Sequence, residues 1–394
     1  MNRETVYDVI VIGVGGMGSA ALYHLARSGC RVLGLERFGI PHTFGSSHGF
    51  TRMIRLAYFA GAEYVPLVRA AYRGWRELED VSGESILRIT GGLDIGRPES
   101  WIVEGSRRAC REHGLPFEEL DAAEVNRRFP GYRLPDSMRA IFQPDAGYVR
   151  SEAAIRAYAA AAGALGAEIA THSAVRTWER HGAGFRVRTA SDSYRAKKLV
   201  FTAGAWAGHL LPELRPLCRP ERQVVLWTEP LRAAPFDPAR FPVFVLISPS
   251  GGYYGFPNVG DKGFKIGRFN HRREQVADPT LLDRECHPED EAVLREPLEA
   301  WFPEANGPTR RMMACMFTNT PDEHFILDRL PDHEDVYVAA GFSGHGFKFC
   351  GVIGRILADW CTDRAPERGP EWNLGTFALS PERLSRWRAD LARS

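Results

Sequence analysis

The sequence lacks the features that define several large classes of protein. Its 394 residues carry a formal net charge of only +1, which gives no electrostatic footprint for nucleic acid or an anionic membrane. No apolar run reaches membrane-spanning length, and Asp8 interrupts the apolar run that begins at Val6. The seven cysteines form no CxxC pair and no metal-ligand spacing. We therefore expect a cytoplasmic protein with reduced thiols and a small-molecule ligand, with no nucleic-acid, membrane or metal partner.

Lysine is the scarcest charged residue. Only five of the 50 Lys and Arg residues are lysines, namely Lys197, Lys198, Lys262, Lys265 and Lys348. Arginine and lysine are not interchangeable, because lysine carries a compact charge whose pKa shifts readily on burial. Lysines kept in an arginine-rich chain are therefore candidates for functional residues, and Lys265 and Lys348 also lie in distinctive motifs.

The first 36 residues predict a complete βαβ unit. An apolar strand at 7–12 leads into GxGxxG at 13–18, then a helical pattern at 19–28 and a second strand at 31–35 that ends at Glu36. The glycines let the backbone approach a pyrophosphate, and the helix N-terminus presents free N–H groups to it. Glu36 would accept the ribose hydroxyls and would repel the 2′-phosphate of NADP. At this point NAD and FAD both remain open.

The polar, glycine-rich segment 37–55 favours flavin over nicotinamide. Hydroxyls at Ser46, Ser47 and Thr51 are placed to contact phosphate and isoalloxazine. Arg52 and Arg55 lie three residues apart, and on an opening helix they would share a face. A solvated helical face is the alternative interpretation of this spacing.

Two later segments complete the expected flavin site. Residues 198–206 predict a strand and a small-residue turn, which is the form of a second nucleotide contact. Residues 336–348 predict a strand and a glycine-rich turn, followed by a helix from about 349 to 360. The positive end of that helix would stabilise negative charge on a reduced flavin.

These segments together resemble the monomeric sarcosine oxidase family, with its N-methyltryptophan and pipecolate oxidase relatives, over nearly the whole chain. The most specific carriers are CMFTNTPDEHFILD at 315–328 and GFSGHGFK at 341–348. The resemblance implies a monomeric FAD-dependent oxidase that converts sarcosine or bulkier N-methylamino acids to imines and reduces O2 to hydrogen peroxide. Alternatives on the same fold are a fructosyl-amino-acid oxidase and a pipecolate- or proline-type oxidase or dehydrogenase. A non-catalytic nucleotide-binding module is the alternative from another class.

The resemblance also assigns roles to individual residues. Cys315 takes the place of the cysteine that tethers FAD through an 8α-thioether, and Lys265 that of the lysine that promotes reaction with O2. Arg55 and Lys348 match the pair that binds the substrate carboxylate, and Tyr254 would close the pocket. The expected cofactor-binding residues, besides Cys315, are Gly13, Gly15, Gly16, Met17, Gly18, Glu36, Arg37, Ser46, Ser47, Thr51, Arg52, Val175, Gly204, Trp206, Gly344, His345, Gly346, Phe347 and Lys348.

Three departures from the family pattern concern the substrate pocket. Ala60 stands where sarcosine-oxidising members have a glutamate, Phe269 where they have a histidine, and Phe317 where many have a tyrosine. Each change removes a polar group. The departures therefore predict a bulkier or more hydrophobic amine than sarcosine.

The order of elements predicts an α/β protein of two domains, which the length of the chain also favours. A glutathione-reductase-type FAD-binding Rossmann domain is expected from 1–88, 148–218 and 322–394. The second, an α+β substrate domain built on a mixed, largely antiparallel sheet, is expected from 89–147 and 219–321.

Overall fold

The structure, a computed structural model, describes residues 5–364 and 372–391, which form three sheets and nine helices. The strands are β1 (Val6–Ile12), β2 (Val32–Leu35), β3 (Thr51–Ile54), β4 (Leu87–Ile89), β5 (Gly92–Gly96), β6 (Glu118–Asp121), β7 (Arg139–Gln143), β8 (Gly147–Arg150), β9 (Glu168–Ala170), β10 (Thr177–His181), β11 (Gly184–Arg188), β12 (Ser193–Phe201), β13 (Arg219–Thr228), β14 (Val243–Ser248), β15 (Gly251–Phe256), β16 (Phe264–Arg268), β17 (Thr309–Asn319), β18 (Ile326–Leu330) and β19 (His333–Ala340). The helices are α1 (Gly16–Arg27), α2 (Val65–Ser82), α3 (Trp101–Glu112), α4 (Ala122–Arg128), α5 (Ser151–Ala164), α6 (Ala207–Leu210), α7 (Pro288–Trp301), α8 (Cys350–Cys361) and α9 (Pro381–Leu391). None of these helices is long and apolar enough to cross a membrane.

The first sheet is built around parallel strands. Its order is β10-β11-β12-β1-β2-β9, and β19, paired with β18, adds to the C-terminal half of β12. β1, β2, β9, β12 and β19 run parallel, whereas β10, β11 and β18 are antiparallel to their neighbours. Helix α1 packs against α5 and α8 over one face of the sheet. Residues 9–12 of β1 and all of β2 are buried between apolar clusters on the two faces of the sheet, so these segments are apolar along their length rather than alternating, whereas the first six residues of β12 are mostly polar.

The second sheet is mixed and mainly antiparallel, in the order β17-β13-β16-β15-β14-β5-β7-β6. Only the β14–β5 pair is parallel. A small third sheet joins β3, β8 and β4. The predicted fold class, a Rossmann-type α/β unit with a second, largely antiparallel sheet, is confirmed. The domain boundaries stay a prediction, and residues 1–4, 365–371 and 392–394 of the expected FAD domain lie outside the described residues.

One local prediction is wrong. Arg52 lies in strand β3 and Arg55 directly follows it, so the two arginines are not on an opening helix. Arg52 pairs with Val149 of β8, which is distant in sequence. Long-range strand pairing has overridden the local helical spacing, and the two guanidinium groups have different partners.

A buried ion cluster ties the second sheet to the segment that precedes α7. The Arg222 guanidinium of β13 donates to both carboxylate oxygens of Asp290, at 2.9 and 2.8 Å, and to the carbonyls of Asp283 and Glu285. His271 lies 3.0 Å from the same carboxylate. Burial would raise the pKa of Asp290, but the Arg222 guanidinium and the other donors hold that pKa well below its usual range. Arg222 therefore fixes residues 270–290 against the sheet.

We expect Arg222→Met to lower the free energy of unfolding by about 3–5 kcal/mol, because it leaves the buried Asp290 carboxylate without its cation. Denaturant titration measures this change. Arg127→Met is the matched control, since Arg127 pairs with Glu124 on the exposed surface of α4, and it should leave the same quantity nearly unchanged. Equal effects of the two substitutions would contradict the structural role of Arg222.

Candidate active site

A cavity of about 1080 Å³ is lined by residues of both large sheets and of the loops between them. The glycine-rich β1–α1 loop lines one part. Segment 36–55, the turn after β12, the middle of β17 and the glycine-rich turn after β19 line the rest. Because these segments are far apart in sequence, the cavity exists only in the folded chain.

The β1–α1 loop has the shape of an anion-binding turn. Gly13 has a positive φ of 93°, and a Cβ on Gly18 would lie 1.8 Å from the Gly13 carbonyl oxygen, so both positions require glycine. By contrast, a Cβ on Gly15 would come no closer than 4.0 Å to another atom, which leaves the backbone open to the cavity. Helix α1 begins here with no side-chain cap and no acidic residue in its first turn. Its free N–H groups are thus available to a phosphate.

Glu36 supports this loop from the end of β2. One carboxylate oxygen accepts from the Val14 amide at 2.7 Å and the other from the Phe38 amide at 2.9 Å. Burial raises the pKa of Glu36, and these backbone donors oppose that shift. A carboxylate has about four acceptor positions, so Glu36 keeps capacity for hydroxyl donors in the cavity.

Lys265 is buried rather than exposed, with only 2% of its surface accessible. Its Nζ donates to the carbonyls of Gly49 at 2.8 Å and Thr51 at 2.9 Å, and it lies 4.6 Å from the centre of the Phe256 ring. Burial holds the pKa of Lys265 well below its usual value, with a further contribution from Arg52. Lys265 is therefore not a surface lysine.

The Cys315 thiol lies in the same region, on β17 and almost fully buried. Burial raises its pKa, whereas the nearby charges of Arg52 and Lys265 act to lower it. Arg52 is held by the backbone, since its guanidinium donates to the carbonyls of Ser46 at 2.7 Å and His48 at 2.5 Å. Two cations thus lie close to one cavity-lining thiol, where they would stabilise its thiolate.

Arg55 and Lys348 place two further buried cations on the cavity wall. The centre of the Tyr58 ring is 5.6 Å from the Arg55 guanidinium and 5.3 Å from Lys348 Nζ. Lys348 Nζ donates to the His345 carbonyl at 2.6 Å. Burial, together with the charge of Arg55, holds the pKa of Lys348 well below its usual value. A bound anion would reverse that shift, because an opposite charge favours the protonated amine.

His345 is held in its neutral form beside these cations. Its Nε2 lies 3.0 Å from the Glu323 carbonyl, which can only accept, so Nε2 carries the proton. Nδ1 is then the acceptor for the Tyr58 hydroxyl at 2.5 Å. Burial lowers the pKa of His345 to about 3, and the neighbouring charge of Lys348 adds to the effect. His345 therefore adds no positive charge to the site.

Apolar side chains line the cavity near Arg55. The Phe59 ring lies 4.1 Å from the guanidinium and contacts Trp101 edge-on at 4.9 Å, and the Tyr254 and Phe269 rings are 5.0 Å apart. Ala60 also lines the cavity. This part of the wall can accept a large apolar group and contributes no carboxylate of its own.

All four predicted catalytic residues line the cavity, as do all but one of the predicted cofactor-binding residues. The exception is Gly18, which packs beneath the loop. The predicted residues on the wall are Lys265, Arg55, Lys348, Tyr254, Cys315, Gly13, Gly15, Gly16, Met17, Glu36, Arg37, Ser46, Ser47, Thr51, Arg52, Val175, Gly204, Trp206, Gly344, His345, Gly346 and Phe347.

Sequence reasoning missed several residues of the site. Tyr58, His48 and Trp101 line the cavity, and Asp94 lies 3.5 Å from Arg55 beneath the wall. Asp94 could have been found from the sequence, because it is the one charged residue in the otherwise apolar strand GLDIG. Buried aspartates are rare without a partner. The other three residues carry no such signal.

The residues present fit FAD. The open backbone at Gly15 and the uncapped start of α1 suit a pyrophosphate. The Thr318 hydroxyl and both ring nitrogens of His48 are buried on the cavity wall, and within the described residues they have no hydrogen-bond partner. Such orphaned groups are rare in proteins, so a ligand in the cavity is the expected source of their partners.

The fold and the cavity together define a flavin-dependent oxidoreductase. The chain belongs to the FAD dependent oxidoreductase family, DAO, which its residues 8–360 match. A monomeric sarcosine oxidase of Bacillus sp. (strain B-0618) is 44% identical over 361 residues, which is 90% of this chain and 92% of the relative. An N-methyl-L-tryptophan oxidase of Salmonella heidelberg (strain SL476) is 36% identical over 382 residues, covering 97% of this chain and 99% of the relative. The resemblance to the monomeric sarcosine oxidase family is thereby confirmed.

Solved structures agree with the fold. NikD, described as an unusual amino acid oxidase essential for nikkomycin biosynthesis, superposes with a TM-score of 0.83 at 23% identity, covering 95% of this chain and 97% of NikD. At this identity the likeness shows the shared fold alone.

We expect acid to destabilise the protein between pH 6.5 and about 3, in part through His345. Its pKa is about 3 in the folded protein against 6.5 in the unfolded chain, so the unfolded state binds more protons in this window. The stabilising contribution is complete above pH 6.5 and is lost as the pH falls. His345→Gln should make the slope of melting temperature against pH shallower. Identical slopes in the altered and the unaltered protein would refute the assignment.

Proposed function

We propose that this protein oxidises secondary amino acids, foremost N-methylamino acids with an apolar side chain, to imines, and that O2 is reduced to hydrogen peroxide. The observation that carries the proposal is the pair of buried cations, Arg55 and Lys348, in a cavity whose other walls fit FAD. Relatives that are named sarcosine oxidase and N-methyl-L-tryptophan oxidase support the substrate class. We also propose that the protein is a monomer and that it is located in the cytoplasm.

Arg55 and Lys348 bind the carboxylate of the substrate. Two cations that converge on one small anion supply attraction and fix its orientation, so that the C–N bond of the substrate takes a single position. Removing these charges from water is costly unless an anion compensates them. The site is therefore selective for amines that carry an acid group.

The same cations help the substrate amine to lose its proton. Oxidation requires the neutral amine, because its nitrogen lone pair stabilises the positive charge that develops as the C–H bond breaks. Burial and the positive charges of Arg55 and Lys348 both lower the pKa of an ammonium group bound beside them. No base on the protein is required if the bound amine gives its proton to water.

The apolar wall determines the substrate side chain. Phe59 and Trp101 offer ring surface next to Arg55, Phe269 adds ring surface to the same cavity, and Ala60 leaves space in its wall. Burial of an apolar side chain there gains about 25 cal/mol per Å². Bulky N-methylamino acids should consequently be preferred to sarcosine.

FAD, when bound, would supply the acceptor for the hydride of the substrate carbon and the route by which the electrons reach O2. Cys315 would hold the cofactor through a thioether to its 8α-methyl group. Lys265, fixed by the Gly49 and Thr51 carbonyls, would place positive charge where O2 gains negative charge. Helix α8 begins at Cys350 beside the cavity, with no acidic residue in its first turn, so its positive end also favours a negatively charged ring.

The alternatives share the fold and differ from the proposed reaction in substrate, in electron acceptor or in the absence of catalysis. A fructosyl-amino-acid, pipecolate or proline oxidase or dehydrogenase would use the same carboxylate site, so product and acceptor distinguish it. A non-catalytic nucleotide-binding module would leave the buried cations and Lys265 without a purpose.

A peroxide-coupled assay tests the proposed reaction. N-methyltryptophan should give a higher kcat/KM than sarcosine, because it buries more apolar surface, and pipecolate, proline and glycated amino acids should give less peroxide. The carboxamide of N-methyltryptophan should lose at least about 100-fold in kcat/KM, because the two cations then lack their anion. Turnover of the carboxamide at the rate of the acid, or reduction of dyes without peroxide, would contradict the oxidase assignment.

The covalent link predicts that yellow pigment remains with the polypeptide after acid precipitation. Cys315→Ala should give a colourless pellet and a yellow supernatant, because the thioether cannot form. Cys350→Ala is the matched control, since Cys350 is also a buried thiol on the cavity wall, and its pellet should stay yellow. Release of intact FAD from the unaltered protein would show that the cofactor is not covalently bound.

A further inference from the structure

Asp94 is a buried charge in the middle of strand β5. Only 3% of its surface is accessible, and all five residues of the strand are buried. Its neighbours Leu93 and Ile95 pack in the core on the opposite face of the sheet. Asp94 instead shares the face of Val245, which pairs with it on β14 and lines the cavity. Its carboxylate therefore lies directly beneath the cavity wall.

The two oxygens of Asp94 have different partners. One accepts a hydrogen bond from the Ser106 hydroxyl of α3 at 2.6 Å. The other lies 3.5 Å from Arg55 Nε, and within the described residues it has no hydrogen-bond partner. Burial raises the pKa of Asp94, and the Arg55 charge, aided by Ser106, opposes that shift. Ser106 thus orients the carboxylate toward the arginine.

The remaining contacts of Arg55 are neutral. The Nε hydrogen is donated to the Ala57 carbonyl at 3.3 Å, Nη1 lies 3.5 Å from the Met53 sulfur, and the Phe59 ring lies over the guanidinium, so the contact of Nε with Asp94 is an ion pair and not a hydrogen bond. Among residues 5–364 and 372–391, Asp94 is the one acid within ion-pair distance of Arg55. The Nη nitrogens have no oxygen acceptor among those residues, so they remain available to a ligand.

We propose that Asp94 is a positioning residue for substrate binding: it fixes Arg55 through Nε and so directs the Nη nitrogens at the substrate carboxylate. This inference rests on the proposed function. Asp94 also sets the charge of the site. With Lys348 protonated, Asp94 ionised and His345 neutral, the charges of Arg55, Lys348 and Asp94 sum to +1, which one carboxylate neutralises.

Because Asp94 lies beneath the cavity wall, it can balance the charge of Arg55 without making the substrate pocket polar. A carboxylate on the cavity side of Arg55 would compete with the substrate acid and would make the pocket polar. Asp94 holds the guanidinium from beneath the wall, whereas Ala60, Phe59 and Trp101, which line the cavity, carry no charge. The Arg55 guanidinium is thus held in position for a carboxylate, and the cavity wall beside it stays apolar.

Binding of phenylacetate to the holoenzyme, followed by the visible spectrum of the flavin, tests this role without turnover. Asp94→Asn keeps the size of the side chain and removes its charge. We expect about tenfold weaker binding of phenylacetate and unchanged binding of phenylacetamide, which lacks the charge. KM for the amino acid should rise by a similar factor, with kcat within about twofold.

Ile95→Val, on the opposite face of the same strand, controls for a general disturbance of β5 and should leave both dissociation constants unchanged. If Asp94→Asn does not fold, Ser106→Ala should show the same selective weakening of phenylacetate binding, about threefold. Equal weakening of phenylacetate and phenylacetamide, or no change in either, overturns the role of Asp94. Failure of the unaltered holoenzyme to bind phenylacetate overturns the proposed function instead.

Discussion

Burial of positive charge in one cavity is the constraint on which the rest of the site depends. Lys265 and Lys348 are almost completely removed from water, and Arg55 nearly so. A buried cation is tolerated only when oxygen atoms surround it. Backbone carbonyls hold Lys265 and Lys348, whereas Arg55 relies on Asp94. The local backbone must therefore be rigid, and the cavity that results attracts anions.

Each of the two large sheets contributes different residues to the cavity. The parallel sheet presents the glycine turn after β1, whose backbone is open to the cavity, and the turn after β19, which carries Lys348. The largely antiparallel sheet contributes Lys265, Cys315 and Asp94 from three separate strands. Neither sheet alone forms the cavity, so the chemistry depends on the contact between them. The short β3–β8–β4 sheet also supports the cavity, because it holds segment 46–55 in place. This segment carries the carbonyls that accept hydrogen bonds from Lys265, and it ends at Arg55.

Local sequence was informative wherever a conformation is imposed within a few residues. The βαβ unit could be predicted because the tight turn between Gly13 and Gly18 excludes side chains. The strand and turn before Lys348 were predicted for the same reason, and the resemblance that rests on 315–328 and 341–348 is confirmed by the sequence relatives. The helix assigned to Arg52 and Arg55 was wrong, because pairing with β8, almost 100 residues away, determines that segment.

The sequence by itself determined the fold class, the glycine-rich β1–α1 loop and the residue types that line the cavity, because glycine turns and apolar strands act over short range. Only the tertiary structure decided the protonation states of those residues and the orientation of their side chains. It placed Asp94 and Ser106 beneath Arg55, and it paired Tyr58 with His345 so that the imidazole stays neutral. Electrostatic partners of this kind come from segments distant in the chain, and their energies depend on burial, which no local pattern specifies.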